Sequence, residues 1–149
     1  MFERDHIMRQ VNLLGQAIAR ALSLRSESRD GEALRELDHA LDELSESMEP
    51  ERSHTVDILG LCVVGDGSVQ PFAFDVAAVL VLRGDIYLES GQLVLAQKDY
   101  RAALDIYRSA LGKPQAELPW DIHDRLDGLS ERLQDAGFEG DFDLDDLSS

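Results

Sequence analysis

Apolar residues recur at intervals of three and four along most of this 149-residue chain. The first such run, within residues 6–24, comprises Ile7, Val11, Leu14, Ile18 and Leu22. The second run follows the polar stretch RSESRDGE and comprises Leu34, Leu37, Leu41, Leu44 and Met48. This spacing predicts two amphipathic α-helices, the second ending before Pro50. With Gly31 as the turn residue between them, we expect the pair to form an antiparallel hairpin.

Three further helices are predicted in the second half of the chain. The stretch FAFDVAAVLVLRGDIYLES, between Pro71 and Ser90, is apolar around much of its circumference, which is typical of a central helix. The next helix is predicted over residues 93–111, where Gly112 and Pro114 stop it. A last helix begins after Pro119 and presents on one face Ile122, Leu126, Leu129 and Leu133.

Residues 53–74 allow two interpretations. SHTVDILGLCVV fits a short buried helix followed by a loop, whereas CVVGDGSVQPF fits a small hairpin around Asp66-Gly67. We favour the helix and loop because no other strand is predicted for such a hairpin to pair with, and an isolated hairpin is marginal in water. The expected fold is all-α, with about six helices in two hairpins joined by a bridging segment. We assign residues 1–137 to one domain and residues 138–149 to an acidic C-terminal tail.

A glycine inside the apolar helix requires a packing reason, because it costs about 1 kcal/mol relative to alanine. Six residues of the second hairpin form a regular pattern of small and aromatic side chains: Gly84, Tyr87, Gly91, Ala96, Tyr100 and Ala103. We expect Gly84 to pack near Ala96, the two tyrosines to fill the gaps beside them, and Gly91 to form the turn. The first hairpin repeats the pattern 63 residues earlier (96 − 33), with Ala21, Ala33, Leu37 and Ala40.

This pattern resembles the tetratricopeptide repeat (TPR), a helical hairpin of about 34 residues with small residues where its helices cross. The chain departs from the family at Arg83, where a large apolar residue is usual, and at Arg108, where a proline often ends the unit. Residues 1–112 are also similar to a bacterial family of uncharacterised proteins, a domain of unknown function with a TPR-like fold. The segments that carry this likeness are MFERDHIMRQVNLLGQAIARAL, EALRELDHALDEL and the later repeat unit, and it implies no functional residues.

TPR domains that clamp a terminal carboxylate place lysine, arginine and asparagine on the inner face of the first helix of each hairpin. The corresponding positions here are apolar or acidic: Gly15, Ile18, Ala19, Leu22, Val79, Val81, Leu82 and Asp85. The resemblance therefore implies that this clamp is absent. Any groove is expected to be apolar, or to be filled by the chain's own extra helices or by a second copy.

The charge balance excludes several classes of partner. The chain has 30 acidic and 14 basic residues and a formal net charge of −16, which disfavours binding to nucleic acid and to anionic membranes. The single cysteine, Cys62, excludes an internal disulfide. The charged start MFERDHIMRQ and the absence of a long apolar run predict neither a signal peptide nor a membrane span, so we expect a cytoplasmic protein.

No motif in the sequence indicates catalysis, a cofactor or a metal site. The four histidines form no i, i+4 pair, and the tail DFDLDDLSS lacks the glycine and glutamate that a calcium-binding loop requires. The triplet Arg83-Gly84-Asp85 matches an integrin signal, but such a signal needs an exposed loop, whereas here a helix is predicted.

The sequence thus predicts a small, non-enzymatic, cytoplasmic TPR-like protein that mediates protein–protein interaction or scaffolding through an unknown protein partner. Homodimerisation is one way to cover the apolar helix over residues 72–87, because repeat units bury their faces on neighbours. The alternative is a small-molecule-binding or regulatory helical domain with a pocket between the hairpins.

Overall fold

The computed structural model describes residues 2–48, 62–63, 69–113 and 118–137, with side chains described from residue 7 to residue 46 in the first range. This part of the chain contains five helices and no strand. They are α1 (Phe2–Ser26), α2 (Asp30–Met48), α3 (Ala73–Glu89), α4 (Leu93–Leu111) and α5 (Ile122–Asp135). The all-α prediction is confirmed, and the helices follow the predicted apolar runs closely.

The helices pack as two hairpins with α3 at the centre. α1 packs against α2 and α3 against α4, while α3 also contacts α1 and α2, and α5 contacts α4. α3 buries residues around most of its circumference, as its composition predicts: Ala73, Val76, Ala77, Val79, Leu80, Leu82, Gly84 and Ile86. In the first hairpin, Leu14, Leu37 and Leu44 are fully buried. Each such leucine contributes about 1.5–3 kcal/mol relative to an exposed one, so the amphipathic faces hold the hairpins together.

Both hairpins turn through the same hydrogen-bonded motif at the end of the first helix. After α3, the Gln92 N–H donates to the Tyr87 carbonyl (2.9 Å), and Gly91 has a positive φ of 81°. After α1, the Arg29 N–H donates to the Leu24 carbonyl (2.8 Å), and Ser28 has a positive φ of 62°. These bonds satisfy carbonyls at the helix end that would otherwise lack partners.

The prediction that Gly31 is the turn residue of the first hairpin is wrong. Gly31 lies in the first turn of α2, which begins at Asp30. The hydrogen bonds that close α1 place the left-handed residue at position 28, three residues earlier, and a serine occupies it. Gly91 does form the turn of the second hairpin, as its sequence position suggested.

The two hairpins follow one register with an offset of 63 residues. α2 and α4 have the same length and start and end 63 residues apart (93 − 30 and 111 − 48), and α1 and α3 end 63 residues apart (89 − 26). The left-handed turn residues also obey the offset (91 − 28). Four pairs of equivalent positions are buried, namely Ala21 and Gly84, Ala33 and Ala96, Leu37 and Tyr100, and Ala40 and Ala103. The internal repeat seen in sequence thus has a structural counterpart.

Only the ends of the bridging segment can be compared with the two interpretations. Val63 and Val69 form an isolated antiparallel bridge, and the Gln70 N–H donates to the carbonyl of the buried Cys62 (2.7 Å). Cys62 is itself helical, as the favoured helix and loop expects, whereas the bridge spans Asp66-Gly67, as the hairpin alternative expects, so both interpretations stay open. Residues 49–61 and 64–68 lie outside the described part of the chain, as does the acidic tail at 138–149, so the boundary at residue 137 stays a prediction.

Among the described helices, none is long and apolar enough to cross a membrane.

Candidate functional site

Arg83 joins the two hairpins. Its guanidinium donates to both carboxylate oxygens of Asp99 on α4, through Nε (2.8 Å) and Nη2 (2.7 Å), and through Nη1 to Asp38 on α2 (2.8 Å). Burial alone would lower the pKa of Arg83, but the hydrogen bonds and charges of Asp99 and Asp38 outweigh it, so the pKa lies above its ordinary value. Arg83, one of the two residues that depart from the TPR pattern, is therefore a permanent cation between α2 and α4.

Gly84 is buried against the ring of Tyr100. A Cβ atom built on Gly84 would lie 2.6 Å from Cε1 and 2.9 Å from Cδ1 of that ring, which no real side chain tolerates without movement. We expected Ala96 as the facing residue, whereas the three nearest atoms all belong to Tyr100. Ala96 and Ala103 are fully buried in the same core, and Tyr87 packs against its edge. The close approach is thus between the backbone of Gly84 and the aromatic ring of Tyr100.

Asp85 completes the triplet by binding α4 and α5. Its Oδ1 atom accepts hydrogen bonds from the Tyr100 hydroxyl (2.6 Å) and from Nε of Arg132 (2.8 Å). Burial, together with the adjacent Asp85 carboxylate, raises the pKa of Tyr100, so the phenol is a proton donor at neutral pH. Arg83, Gly84 and Asp85 are therefore all used in packing between helices.

A groove with a volume of about 320 Å³ lies between α1, α3 and α5. Its apolar wall comprises Ile18, Leu22, Ala78, Val81, Leu82 and Leu129. Four of these positions were predicted from the TPR resemblance to face a groove: Ile18, Leu22, Val81 and Leu82. Leu22 is 50% exposed, so the apolar wall reaches the surface of the protein.

The groove follows the internal repeat. Ile18 on α1 and Val81 on α3 are 63 residues apart, as are Leu22 and Asp85, and all four line it. Equivalent faces of the two first helices therefore form one continuous surface. α5 closes one side of this surface, in agreement with the expectation that an extra helix covers part of the groove.

Three arginines line the same groove: Arg25 on α1 and Arg125 and Arg132 on α5. The only carboxylate among the lining residues is Asp85. Arg25 forms an ion pair with Glu89, which is outside the lining. Arg125 donates through Nε to Asp121 (2.9 Å) and through Nη1 to the Tyr107 hydroxyl (3.3 Å). Arg132 pairs with Asp85, so each of the three guanidinium groups is paired with one carboxylate and its charge is balanced.

Sequence reasoning missed the arginines of α5 because it considered only the inner faces of the two hairpins. The signal is present in the sequence, since Arg125, Leu129 and Arg132 are spaced by four and three and so share one helical face. Gly128 adds to it. A Cβ there would lie 2.8 Å from Nη1 of Arg132, so the absence of a side chain leaves room for the guanidinium.

Arg132 and Tyr107, which line the groove, both keep their protons at neutral pH. Burial lowers the pKa of Arg132, but the hydrogen bond and charge of Asp85 raise it further, so the group stays charged and cannot exchange protons near neutral pH. Burial raises the pKa of Tyr107, so that phenol stays protonated at neutral pH. Within the described residues, no group of three histidine, cysteine or acidic side chains could hold a metal ion. The groove thus offers an apolar surface beside three arginines, each of which is paired with a carboxylate.

Comparisons of the chain with protein-family models, with curated proteins and with solved structures found no match. The resemblance to the TPR and to the uncharacterised bacterial family therefore stays a prediction.

Proposed function

We propose that this chain is a non-enzymatic interaction protein that binds an apolar segment of a partner protein in the groove. The observation that carries the proposal is the half-exposed Leu22 at the mouth of an apolar wall built from both hairpins and α5. An apolar groove between helices is a common site for an amphipathic helix of a partner.

A TPR-like classification is part of this proposal. It is supported by the 63-residue register and by the small residues Ala21 and Gly84 at equivalent buried positions. Stacked helical repeats present a continuous binding surface on the first helices of successive units, and the groove lies on that surface here. The proposal also includes a cytoplasmic scaffold role and a bacterial source, both on the grounds of sequence.

Affinity capture from cells of the source organism tests the proposal. Leu22→Glu places a charge in the mouth of the groove, whereas Val94→Glu places the same charge on α4, where Val94 is 77% exposed and outside the groove. We expect the wild type and Val94→Glu to retain the same partner, identified by mass spectrometry, and Leu22→Glu to lose it. Retention of every captured protein by Leu22→Glu would show that the groove is not the interaction site.

Binding of a small molecule is a second candidate, because a volume of about 320 Å³ lies within the usual range of small-molecule sites. Homodimerisation is a third way to cover the groove. Light scattering at rising protein concentration distinguishes homodimerisation from the binding of a partner protein or a small molecule. A wild-type dimer that Leu22→Glu converts to a monomer would assign the groove to a second copy.

A further inference from the structure

We propose that the exposed face of α4 is an interaction surface for an acidic segment, and that the acidic tail, residues 138–149, occupies it. This face is separate from the groove, so the proposal does not depend on the proposed function. Three observations carry it, namely the charge of the face, the place where α5 ends, and the composition of the tail.

The exposed face of α4 is basic and begins at an apolar patch. Its residues are spaced by four, three, four and three and so share one side of the helix: Val94, Lys98, Arg101, Asp105 and Arg108. Val94 is 77% exposed, and the adjacent Leu93 and Leu95 are also exposed. Within the described residues, Lys98 and Arg108 form no ion pair, in contrast to the three arginines of the groove. The face therefore carries three cations and one carboxylate, a net charge of +2 (3 − 1).

α5 ends beside this face. The side chain of Gln97 on α4 donates through Nε2 to the carbonyl of Ala136 (2.6 Å). The next residue, Gly137, has a positive φ of 82° and is the last described residue before the tail. Val94 lies one helical turn before Gln97, and Arg101 lies one turn after it. The acidic tail therefore starts where the apolar patch meets the first cations of the face.

The composition of the tail complements this face. Its sequence, FEGDFDLDDLSS, begins with the apolar Phe138 and contains five carboxylates and no lysine or arginine. The surface of α5 repels such a segment, because the two arginines of that helix are paired with carboxylates, while four acidic residues are exposed: Asp124, Asp127, Glu131 and Asp135. Of the two helices beside the start of the tail, only α4 presents the opposite charge.

The tail is long enough to follow the face. Lys98 and Arg108 are ten residues apart (108 − 98), which is about 15 Å along a helix. Eight residues of extended chain, the number in 138–145, span as much as about 26 Å. Exposed ion pairs are individually weak, but a tethered segment binds at a high effective concentration, so that several such pairs are sufficient.

Paramagnetic NMR of the full chain tests the proposal. A nitroxide spin label is attached to Ser148→Cys in a Cys62→Ala background, so that the label has one site. We expect the backbone amide signals of α4 near Arg108 to lose more than half of their intensity, while signals near Arg25, at the far end of α1, stay almost unchanged. Salt at about 1 M, where the Debye length is about 3 Å, should restore the α4 signals.

Neutral variants assign the contact to the face. Lys98→Gln/Arg108→Gln should restore most of the lost intensity, because it removes two of the three cations of the face. Arg20→Gln/Arg35→Gln is the matched control, since it removes the same charge from exposed positions on α1 and α2. This control should show the same broadening as the wild type. Circular dichroism checks that both variants are folded.

Two outcomes would overturn the proposal. The first is an absence of broadening on α4, or broadening that is equal in the two double variants. The second is found by mixing spin-labelled chains with isotope-labelled chains that carry no spin label. Broadening of α4 in that mixture would show that the tail of a second copy occupies the face. Leu22→Glu should leave the broadening unchanged, so the failure of this proposal and that of the groove are distinguishable.

Discussion

The two hairpins place an arginine and a carboxylate at equivalent positions but in opposite environments. Arg20 and Glu36 lie 63 residues before Arg83 and Asp99 and form the corresponding ion pair. In the first hairpin the nitrogen–oxygen distance is 3.5 Å, and the two side chains are 62% and 36% exposed. In the second the distance is 2.7 Å, and Asp99 is only 6% exposed. The same pair is thus a surface feature in one hairpin and a buried one in the other.

The difference arises from what covers each pair. α3 packs against α1 and α2, so Asp38 of α2 reaches Arg83 and water is displaced from the pair. Among the described residues, Arg20 and Glu36 are not covered in this way, since both side chains stay exposed to solvent. An ion pair in water contributes little, whereas a buried pair loses much when one partner is removed. The same ion pair thus occurs in both hairpins, but its contribution to stability depends on the residues that cover it.

The largest expected effect comes from removing the arginine in each hairpin. Arg83→Met leaves the buried Asp99 without its partner and should lower the free energy of unfolding by about 3–5 kcal/mol. Arg20→Met should change it by less than about 1 kcal/mol. Urea denaturation followed by circular dichroism measures both. Equal losses in the two variants would show that burial does not distinguish the pairs.

A double variant sharpens this result. If the cost of Arg83→Met comes from the unpaired carboxylate, Arg83→Met/Asp99→Leu should be more stable than Arg83→Met alone, because no buried charge remains. A double variant less stable than the single one would instead assign the loss to the packing of the arginine stem.

The second comparison concerns the small residue at the helix crossing, Gly84 in one hairpin and Ala21 in the other. Gly84→Ala forces a methyl group against the buried ring of Tyr100 and should lower stability by about 1–3 kcal/mol. Ala21 is tolerated at the equivalent position, where Leu37 stands in place of Tyr100. Tyr100→Leu should therefore absorb part of the cost, so that Gly84→Ala/Tyr100→Leu loses less than the two single variants together. Additive losses in denaturation experiments would show that the ring is not the obstacle.

The third comparison concerns the left-handed turn residues, Ser28 and Gly91. A residue with a side chain costs about 1–2 kcal/mol more than glycine in this conformation. Ser28→Gly should therefore raise stability by about 1 kcal/mol and Gly91→Ser should lower it by a similar amount. Thermal unfolding of the two variants tests whether the gain for Ser28→Gly and the loss for Gly91→Ser are similar in size. A destabilised Ser28→Gly variant would mean that the serine makes a contact that offsets its strain.

The sequence predicts the parts of this fold that depend on local periodicity. Apolar spacing places all five described helices, and the recurrence of small residues reveals the 63-residue register. The sequence does not locate the turn at Ser28. Hydrogen bonds at the end of α1, rather than the nearest glycine, decide which residue adopts the left-handed conformation. Serine is also an uncommon choice for that conformation.

The charged contacts could not be predicted because they join distant segments. Arg83 and Asp38 are 45 residues apart in sequence, and Asp85 and Arg132 are 47 apart. The apolar wall of the groove follows from helical spacing, whereas its three arginines come together only when α5 is placed beside α1. Pairing partners among 30 acidic residues have no local signature in the sequence.

The smallest expected effect tests whether the hairpins can exchange residues at a solvent-facing position. Gly15 on α1 corresponds to Ala78 on α3, and nothing lies within 4 Å of a Cβ built on Gly15. Gly15→Ala should therefore raise stability by about 0.5–1 kcal/mol through helix propensity alone, in contrast to the loss expected for Gly84→Ala. Gly31→Ala in α2, also with open space around its Cβ, is the control for a helix glycine away from α1. Since the two sites share no neighbour, their effects should add in the double variant. A loss of stability in Gly15→Ala would mean that this face of α1 is covered in solution, as binding of a second copy at the groove would cause.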